Sequence, residues 1–222
     1  KKRRLSALDP LNRGDFLIQL CCTSLTEGYL SNYPWAEGEG QWGGVVWPSL
    51  GGILEVADDK QPPSRAFKKL EECLQRTSLS MQKGEVCVDL GAAPGSWTYV
   101  AAKRGAHVIA VDRAPLRDDL MRQRSVKFVK ADAFKFKPEK LPVDWLLCDV
   151  VAFPERTLEL LNQWCSDAWC RKFCVTFKFK GAPNWKVIAE LKKLLIQKCD
   201  VVYLRRLTNN RNEICAWGAC HI

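Results

Sequence analysis

The chain has 222 residues, is 47% hydrophobic and 27% charged, and carries a formal net charge of +9. That length buries a full core and suits one domain of about 150 residues with an appendage. Charge interrupts every apolar stretch well short of a membrane span, and no internal repeat or low-complexity tract is present, so a soluble globular protein without a membrane partner is expected. Basic residues are frequent in Lys1–Arg4, Arg122–Lys140, Arg171–Lys180 and Lys192–Arg211, which predicts a polyanionic partner; a solvated basic surface is the competing reading. Nine tryptophans leave room for base stacking, although most aromatics in such a chain belong to its core.

Eleven cysteines form an odd set with no Cys-x-x-Cys pair, which argues against a zinc ribbon and against a fully paired disulfide framework. Cys87, Cys148 and Cys174 lie inside apolar runs and read as small buried hydrophobes. Cys165, Cys170 and Cys174 lack ligand spacing and the chain has two histidines, so no metal is expected. A reducing compartment follows, the cytoplasm or an organellar matrix. The chain starts at Lys1 rather than Met, so a fragment or a processed form is expected, with any targeting peptide out of view.

In chain order, residues 1–57 read as a small β-rich appendage and 58–222 as the main domain. Phe16–Cys22 has strand character, Gly38–Gly44 and Gly51-Gly52 are turn-rich, and Val45–Trp47 and Ile53–Val56 are further short strand candidates. Asp58–Pro63 reads as a linker, with Ser64 as N-cap of a helix over Arg65–Arg76. Ala66, Phe67, Leu70, Cys73 and Leu74 share one face of that helix, with Lys68 pointing away and Lys69 on the flank.

Val86–Leu90 is a buried-strand run that breaks into Gly91-Ala92-Ala93-Pro94-Gly95 before a helix over Ser96–Arg104. Small residues there let backbone approach a ligand, and the helix that follows presents unpaired N–H groups. The spacing Gly91-x-x-x-Gly95 is not a dinucleotide fingerprint, so the ligand is a nucleotide-type cofactor other than NAD. Strands follow at His107–Asp112, Val126–Ala131, Val143–Val150 and Lys172–Phe179, with helices near Arg117–Gln123, over Pro154–Trp169 and over Asn184–Cys199. Runs at Val201–Arg206 and Glu213–Trp217 lack an intervening helix and predict an antiparallel hairpin. The sum is an α/β, Rossmann-like, seven-stranded doubly wound sheet. Asp89, Asp112, Asp132 and Asp149 fall at or near the ends of four of its strands, along the carboxyl edge where such sheets bind ligands.

This order of elements, with Val88-Asp89-Leu90-Gly91-Ala92-Ala93-Pro94-Gly95-Ser96-Trp97, resembles the class I S-adenosylmethionine-dependent methyltransferases of the FtsJ type. Ser64-Arg65-Ala66-Phe67-Lys68-Lys69-Leu70 is similar to that family's Ser-Arg-Ala-x-x-Lys-Leu helix, placing Lys69 at its first catalytic lysine. Asp149 in Leu147-Cys148-Asp149, Lys178 in Val175-Thr176-Phe177-Lys178 and Glu213 in Glu213-Ile214-Cys215-Ala216 match the other members of its Lys-Asp-Lys-Glu tetrad. The resemblance implies that Lys178 is a general base for a ribose 2′-OH, that Asp112 binds the cofactor ribose and Asp132 its adenine amine, and that Asp149 lies beside the methyl-bearing end. It further implies that Gly91, Ala93, Pro94, Gly95, Ser96 and Trp97 shape the methionine side, with Ser64 reaching in from the preceding helix. Asp89 either binds the amino-acid portion or braces the turn.

Phe134-Lys135-Phe136-Lys137-Pro138, the Trp164–Trp169 segment and Pro63-Ser64-Arg65 look most like bacterial enzymes that methylate a cytidine ribose in large-subunit ribosomal RNA, over about residues 55–218. Residues 1–54 then correspond to the end of a longer RNA-binding region, and the implied partner is ribosomal RNA. Ser96, where the family often has glycine, and Phe179-Lys180-Gly181 after the second lysine depart from the pattern. An inactive RNA-binding scaffold and a cap-type 2′-O-methyltransferase are the alternatives that share these residues. Arg65, Arg113, Lys180, Arg205 and Arg211 are candidates for phosphate contacts.

Overall fold

The computed structural model describes residues 16–22, 24, 26–34, 54–77 and 79–221. Two compact units are present, one reaching Leu54 and the other spanning Glu55–Ile222. In the first, β1 (Phe16–Cys22) pairs antiparallel with β2 (Gly28–Pro34), Phe16 opposite Pro34 and Cys22 opposite Gly28. Apolar character predicts β1, whereas β2 carries Gly28, Asn32 and Pro34 and becomes a strand by pairing. Lys1–Arg4, the turn-rich glycine stretches, Val45–Trp47 and Ile53 lie outside the described residues; Leu54–Val56 are not a strand.

The second unit carries α1 (Phe67–Gln75), β3 (Val86–Leu90), α2 (Ser96–Lys103), β4 (His107–Asp112), α3 (Asp118–Met121), β5 (Val126–Lys130) and β6 (Val143–Cys148), then α4 (Pro154–Ser166), β7 (Cys170–Lys178), α5 (Trp185–Lys198), β8 (Cys199–Arg205) and β9 (Glu213–Cys220). Among the described residues its sheet is seven-stranded, ordered β5-β4-β3-β6-β7-β9-β8. β5, β4, β3, β6 and β7 run parallel, and β9 is antiparallel to both β7 and β8. The predicted closing hairpin is present, with its second strand lying against β7 and β8 left at the edge.

Near-continuous apolar strands are what a parallel sheet covered on both faces requires. Val88, Leu90, Leu146, Leu147, Phe173 and Phe177 are buried, and Trp145, Trp164 and Trp217 are among the largest fully enclosed side chains. α1 packs on α2, and α4 on both β7 and α5. Strand order reverses between β3, which leads outward to β4 and β5, and β6, which starts the other half. The crevice at such a switch point is where an open α/β sheet takes a ligand.

Several boundaries move for identifiable reasons. α1 begins at Phe67 behind Ala66, which makes no capping bond; the Ser64 hydroxyl is engaged instead with Ser96 at 2.7 Å. Lys68 is buried, 7% exposed, because Asp58 meets its ammonium at 2.5 Å. α4 stops at Ser166, three residues before the expected end, where Ala168 takes a left-handed φ of 51° and turns the chain into β7. The expected linker is pinned to the main unit: Gln61 accepts from Tyr99 and Arg117, each at 2.6 Å.

Candidate active site

The turn after β3 is shaped by two glycines in the left-handed region. Gly91 has φ +72°, and a Cβ there would lie 3.0 Å from the Val150 backbone; Gly95 has φ +110°, and a Cβ would lie 2.3 Å from Leu120 Cδ1. Side chains are thus barred from the switch-point crevice at the place where backbone faces it. The cleft has two adjoining parts that share Gly91. One, of 190 Å³, is lined by Asp112, Asp132, Phe134, Val150 and Arg156; the other, of 50 Å³, by Ser64, Asp89, Pro94, Trp97 and Asp149.

Ser96, the residue that departs from the family pattern, fastens this second part. Its hydroxyl accepts from the Ser64 amide at 2.9 Å and donates to the Ser64 carbonyl at 3.2 Å, while Trp97 Nε1 donates to the Ala66 carbonyl at 2.9 Å. The start of α1 is thereby tied to the turn, which a glycine side chain could not do.

All four acidic positions face this edge, each already engaged by the protein. Asp112 accepts from the amides of Ala93 at 3.0 Å and Ala114 at 2.9 Å, one at each oxygen. Asp132 accepts from the Phe134 amide at 2.9 Å and from Arg113 at 2.6 Å. The Phe134 amide, ahead of the Arg113 guanidinium, holds the Asp132 carboxyl below its usual range. Asp89 is 1% exposed and accepts from the Thr98 hydroxyl at 2.6 Å. Burial pushes it up to about 7, with the nearby Asp149 charge adding to the rise and Thr98 opposing it. Of the two readings of Asp89, bracing is present, and the same side chain lines the smaller part of the cleft.

Lys69, Asp149, Lys178 and Glu213, up to 144 residues apart in sequence, meet at one point. Lys69 Nζ donates to Asp149 Oδ1 at 2.8 Å and to Glu213 Oε1 at 3.1 Å. Lys178 Nζ donates to the Asp149 main-chain oxygen at 2.6 Å and lies 3.1 Å from Asp149 Oδ1. β7 and β9 set this meeting by register, with Lys178 directly opposite Glu213. Burial alone would lower Lys69; the Asp149 and Glu213 carboxylates outweigh it and raise the ammonium above its ordinary value. The two amines differ in access, with the Lys69 side chain 8% exposed and that of Lys178 24%.

Glu72 was not legible as a positioning residue in the helix pattern. Wholly buried, it accepts from Arg76 at 2.7 Å and from the Thr208 amide at 2.9 Å, tying α1 to the loop before Glu213. Asn210 from the same loop donates to the Glu213 carbonyl at 3.2 Å. Only a buried polar residue on an otherwise apolar helix face could have signalled Glu72.

The FtsJ-like methyltransferase family pattern matches residues 62–196, more than half of the chain. The chain belongs to this family. Ribosomal RNA large subunit methyltransferase M of Psychromonas ingrahamii is 33% identical over 175 residues, which is 73% of this chain and 48% of that protein. The chain spans about half the length of the curated relatives it matches. Among solved structures, the Methanococcus jannaschii fibrillarin pre-rRNA processing protein superposes with a TM-score of 0.55 at 15% identity, over 93% of this chain and 98% of that one. A Burkholderia thailandensis 1,6-didemethyltoxoflavin-N1-methyltransferase with bound S-adenosylhomocysteine gives 0.50 at 18%, over 71% and 78%. At such identities these two establish the fold, a class I methyltransferase sheet.

S-adenosylmethionine is this family's cofactor, and the donor set of the cleft fits it. The molecule carries a sulfonium and an ammonium, and Asp89 and Asp149 line the narrow part of the cleft with carboxyl groups. Asp112 and Asp132 line the wider part, and a carboxylate oxygen holding one amide retains a lone pair for a hydroxyl or amine. In this FtsJ-like fold the Lys-Asp-Lys-Glu cluster adjoins the narrow part through Asp149.

Proposed function

We propose that this protein transfers a methyl group from S-adenosylmethionine to a ribose 2′-OH of RNA, in large-subunit ribosomal RNA, with Lys178 as general base and Lys69, Asp149 and Glu213 as its partners. The observation that carries this reading is the Lys178 ammonium held 3.1 Å from Asp149 Oδ1, at the point where the cluster opens to solvent beside the cofactor cleft. The cofactor supplies an electrophilic methyl carbon on a positively charged sulfur. A neutral 2′-OH is a poor nucleophile, so the protein must hold it in line and remove its proton as the O–C bond forms. Lys178 in its amine form is placed to take that proton. Lys69, the more enclosed cation, holds the Asp149 and Glu213 carboxylates in place beside it.

A nucleotide approaching this point meets Phe153, 61% exposed, with Lys180 Nζ 4.7 Å from its ring centroid. Trp185, at the start of α5, is 73% exposed. Exposed aromatic rings beside cations suit stacked bases and phosphates, and RNA offers the 2′-OH that DNA lacks. The Phe179-Lys180-Gly181 departure therefore supplies a contact suited to substrate, and ribosomal RNA places the reaction in the cytoplasm or an organellar matrix. The deciding experiment maps 2′-O-methyl positions in ribosomal RNA from cells with and without the protein, beside transfer of labelled methyl in vitro to ribosomal, capped and uncapped RNA. A single ribosomal position that loses its methyl establishes the reading. Cofactor binding with no transfer to any RNA would leave a scaffold, and transfer confined to capped RNA would replace the substrate.

A further inference from the structure

Four cysteines that the sequence scatters over 56 positions converge at the end of the sheet opposite the lysines. Cys165 closes α4, Cys170 opens β7, Cys199 opens β8 and Cys220 closes β9. Cys199 and Cys220 are register partners across the β8–β9 ladder. The sulfurs of Cys165, Cys199 and Cys220 all lie within 4.8 Å of one another, and those of Cys165 and Cys220 are 3.5 Å apart. Cys170 lies just outside that trio, its side chain beside those of Cys165 and Cys220. All four are buried, between 0% and 7% exposed.

We propose that Cys165, Cys170, Cys199 and Cys220 form a structural tetrathiolate site for a zinc ion. Four thiolates around zinc, with Zn–S bonds of about 2.3 Å at tetrahedral angles, have S···S edges of about 3.8 Å. The separations among Cys165, Cys199 and Cys220 bracket that edge, and a 3.5 Å contact is far beyond an S–S bond of about 2.05 Å. Binding is written as Zn²⁺ plus four S–H groups giving four Zn–S bonds and four protons released to solvent, with no redox partner. The neighbouring His221 ring meets Asp200 at 2.6 Å, which leaves the four sulfurs as the ligand set.

Such an ion would fasten α4, β7, β8 and β9 together where β8 is otherwise an edge strand held on one side. It is structural and not catalytic, because the nine residues of β7 place it about 26 Å from Lys178. Chain spacing concealed it: the ligands come as Cys-x4-Cys and Cys-x20-Cys, with β7 and α5 between the pairs. The expectation of no metal rested on that spacing.

The test measures metal in the whole chain purified without chelator, then strips it and titrates with Co²⁺ alone. One zinc per chain is expected, with Co²⁺ restoring tetrahedral d–d bands and sulfur-to-cobalt charge transfer at one equivalent. The bands should vanish in Cys165→Ser/Cys220→Ser and persist in Cys87→Ala, a buried cysteine of β3 outside the cluster. Should the double variant fail to fold, the wild-type titration alone decides. Stoichiometric iron in place of zinc, a Cys165–Cys220 disulfide in the isolated protein, or four free thiols that ignore Co²⁺ would each overturn the proposal.

Discussion

The two ends of β7 solve opposite problems with the same strand. At its carboxyl end Lys178 meets Glu213 across the ladder and joins Lys69 and Asp149, so that four charges share one half-open point. At its amino end Cys170 lies beside Cys165 and Cys220 in the buried sulfur cluster, which has no charged member. Charges brought together at the first end offset the cost of their desolvation by pairing with one another; thiols shut away from water are inert unless a cation takes their protons. On the roles proposed above, the contrast sets chemistry at one end against fastening at the other.

Removing the amine at the reactive end gives the sharpest break. Lys178→Ala should lower methyl transfer by about 10²- to 10⁴-fold, the range for loss of a general base, while cofactor affinity by calorimetry changes by less than about twofold. Equal turnover in that variant would remove Lys178 from the chemistry. Lys69→Met tests the enclosed cation. It leaves Asp149 and Glu213 facing each other without their shared partner, so activity should vanish and chemical denaturation should show a loss of about 3 kcal/mol, the scale for breaking a buried ion pair. Because the Lys69 pKa is raised in the folded state, its stabilising contribution is present below its ordinary value of 10.5 and is lost as pH climbs past it.

Asp89 sharpens the comparison from within the cleft. Folding raises its pKa from 3.8 to about 7, so between those values the folded protein holds a proton that the unfolded chain releases. Stability should therefore fall as pH rises through that window and level off above it, by up to about 1.4 kcal/mol per pH unit for one proton. Asp89→Asn should flatten this slope. An unchanged slope in denaturation curves at pH 5, 6 and 7 would show that Asp89 ionises at its ordinary value.

The meeting of Lys69, Asp149, Lys178 and Glu213 was legible through the family resemblance together with the strand ends, and the thiol end was not. Asp112 ends β4, Asp149 follows β6 and Lys178 ends β7, and a charge at the end of an apolar run has a defined place once the run is a strand. The small residues from Gly91 to Gly95 announce themselves because backbone conformation restricts them. Glu72, Lys68 and the four cysteines depend on partners brought in by register and crossover, which a linear pattern does not encode: Asp58 covers Lys68 from the preceding loop, and Cys220 reaches Cys165 only because β9 lies beside β7. Ser64 shows the same limit. Its type and position suit an N-cap, and a hydroxyl 32 residues away claims it.

The smallest effect expected is at Asp112, where the question is what the carboxylate contributes beyond bracing. Its two oxygens hold the Ala93 and Ala114 amides while the side chain lines the wider part of the cleft, so truncation frees two donors and, on the proposed role, removes an acceptor for a ribose hydroxyl. Asp112→Ala should weaken S-adenosylmethionine by about tenfold, or 1.4 kcal/mol, with methyl transfer restored at saturating cofactor. Asp112→Asn separates the two roles, since the amide oxygen can keep one backbone contact while its NH₂ group cannot accept from a hydroxyl. If both variants lose the same affinity, acceptance from the ribose dominates. If Asp112→Asn binds as the wild type does, the residue acts on the turn, and recognition of the ribose passes to other atoms of the cleft.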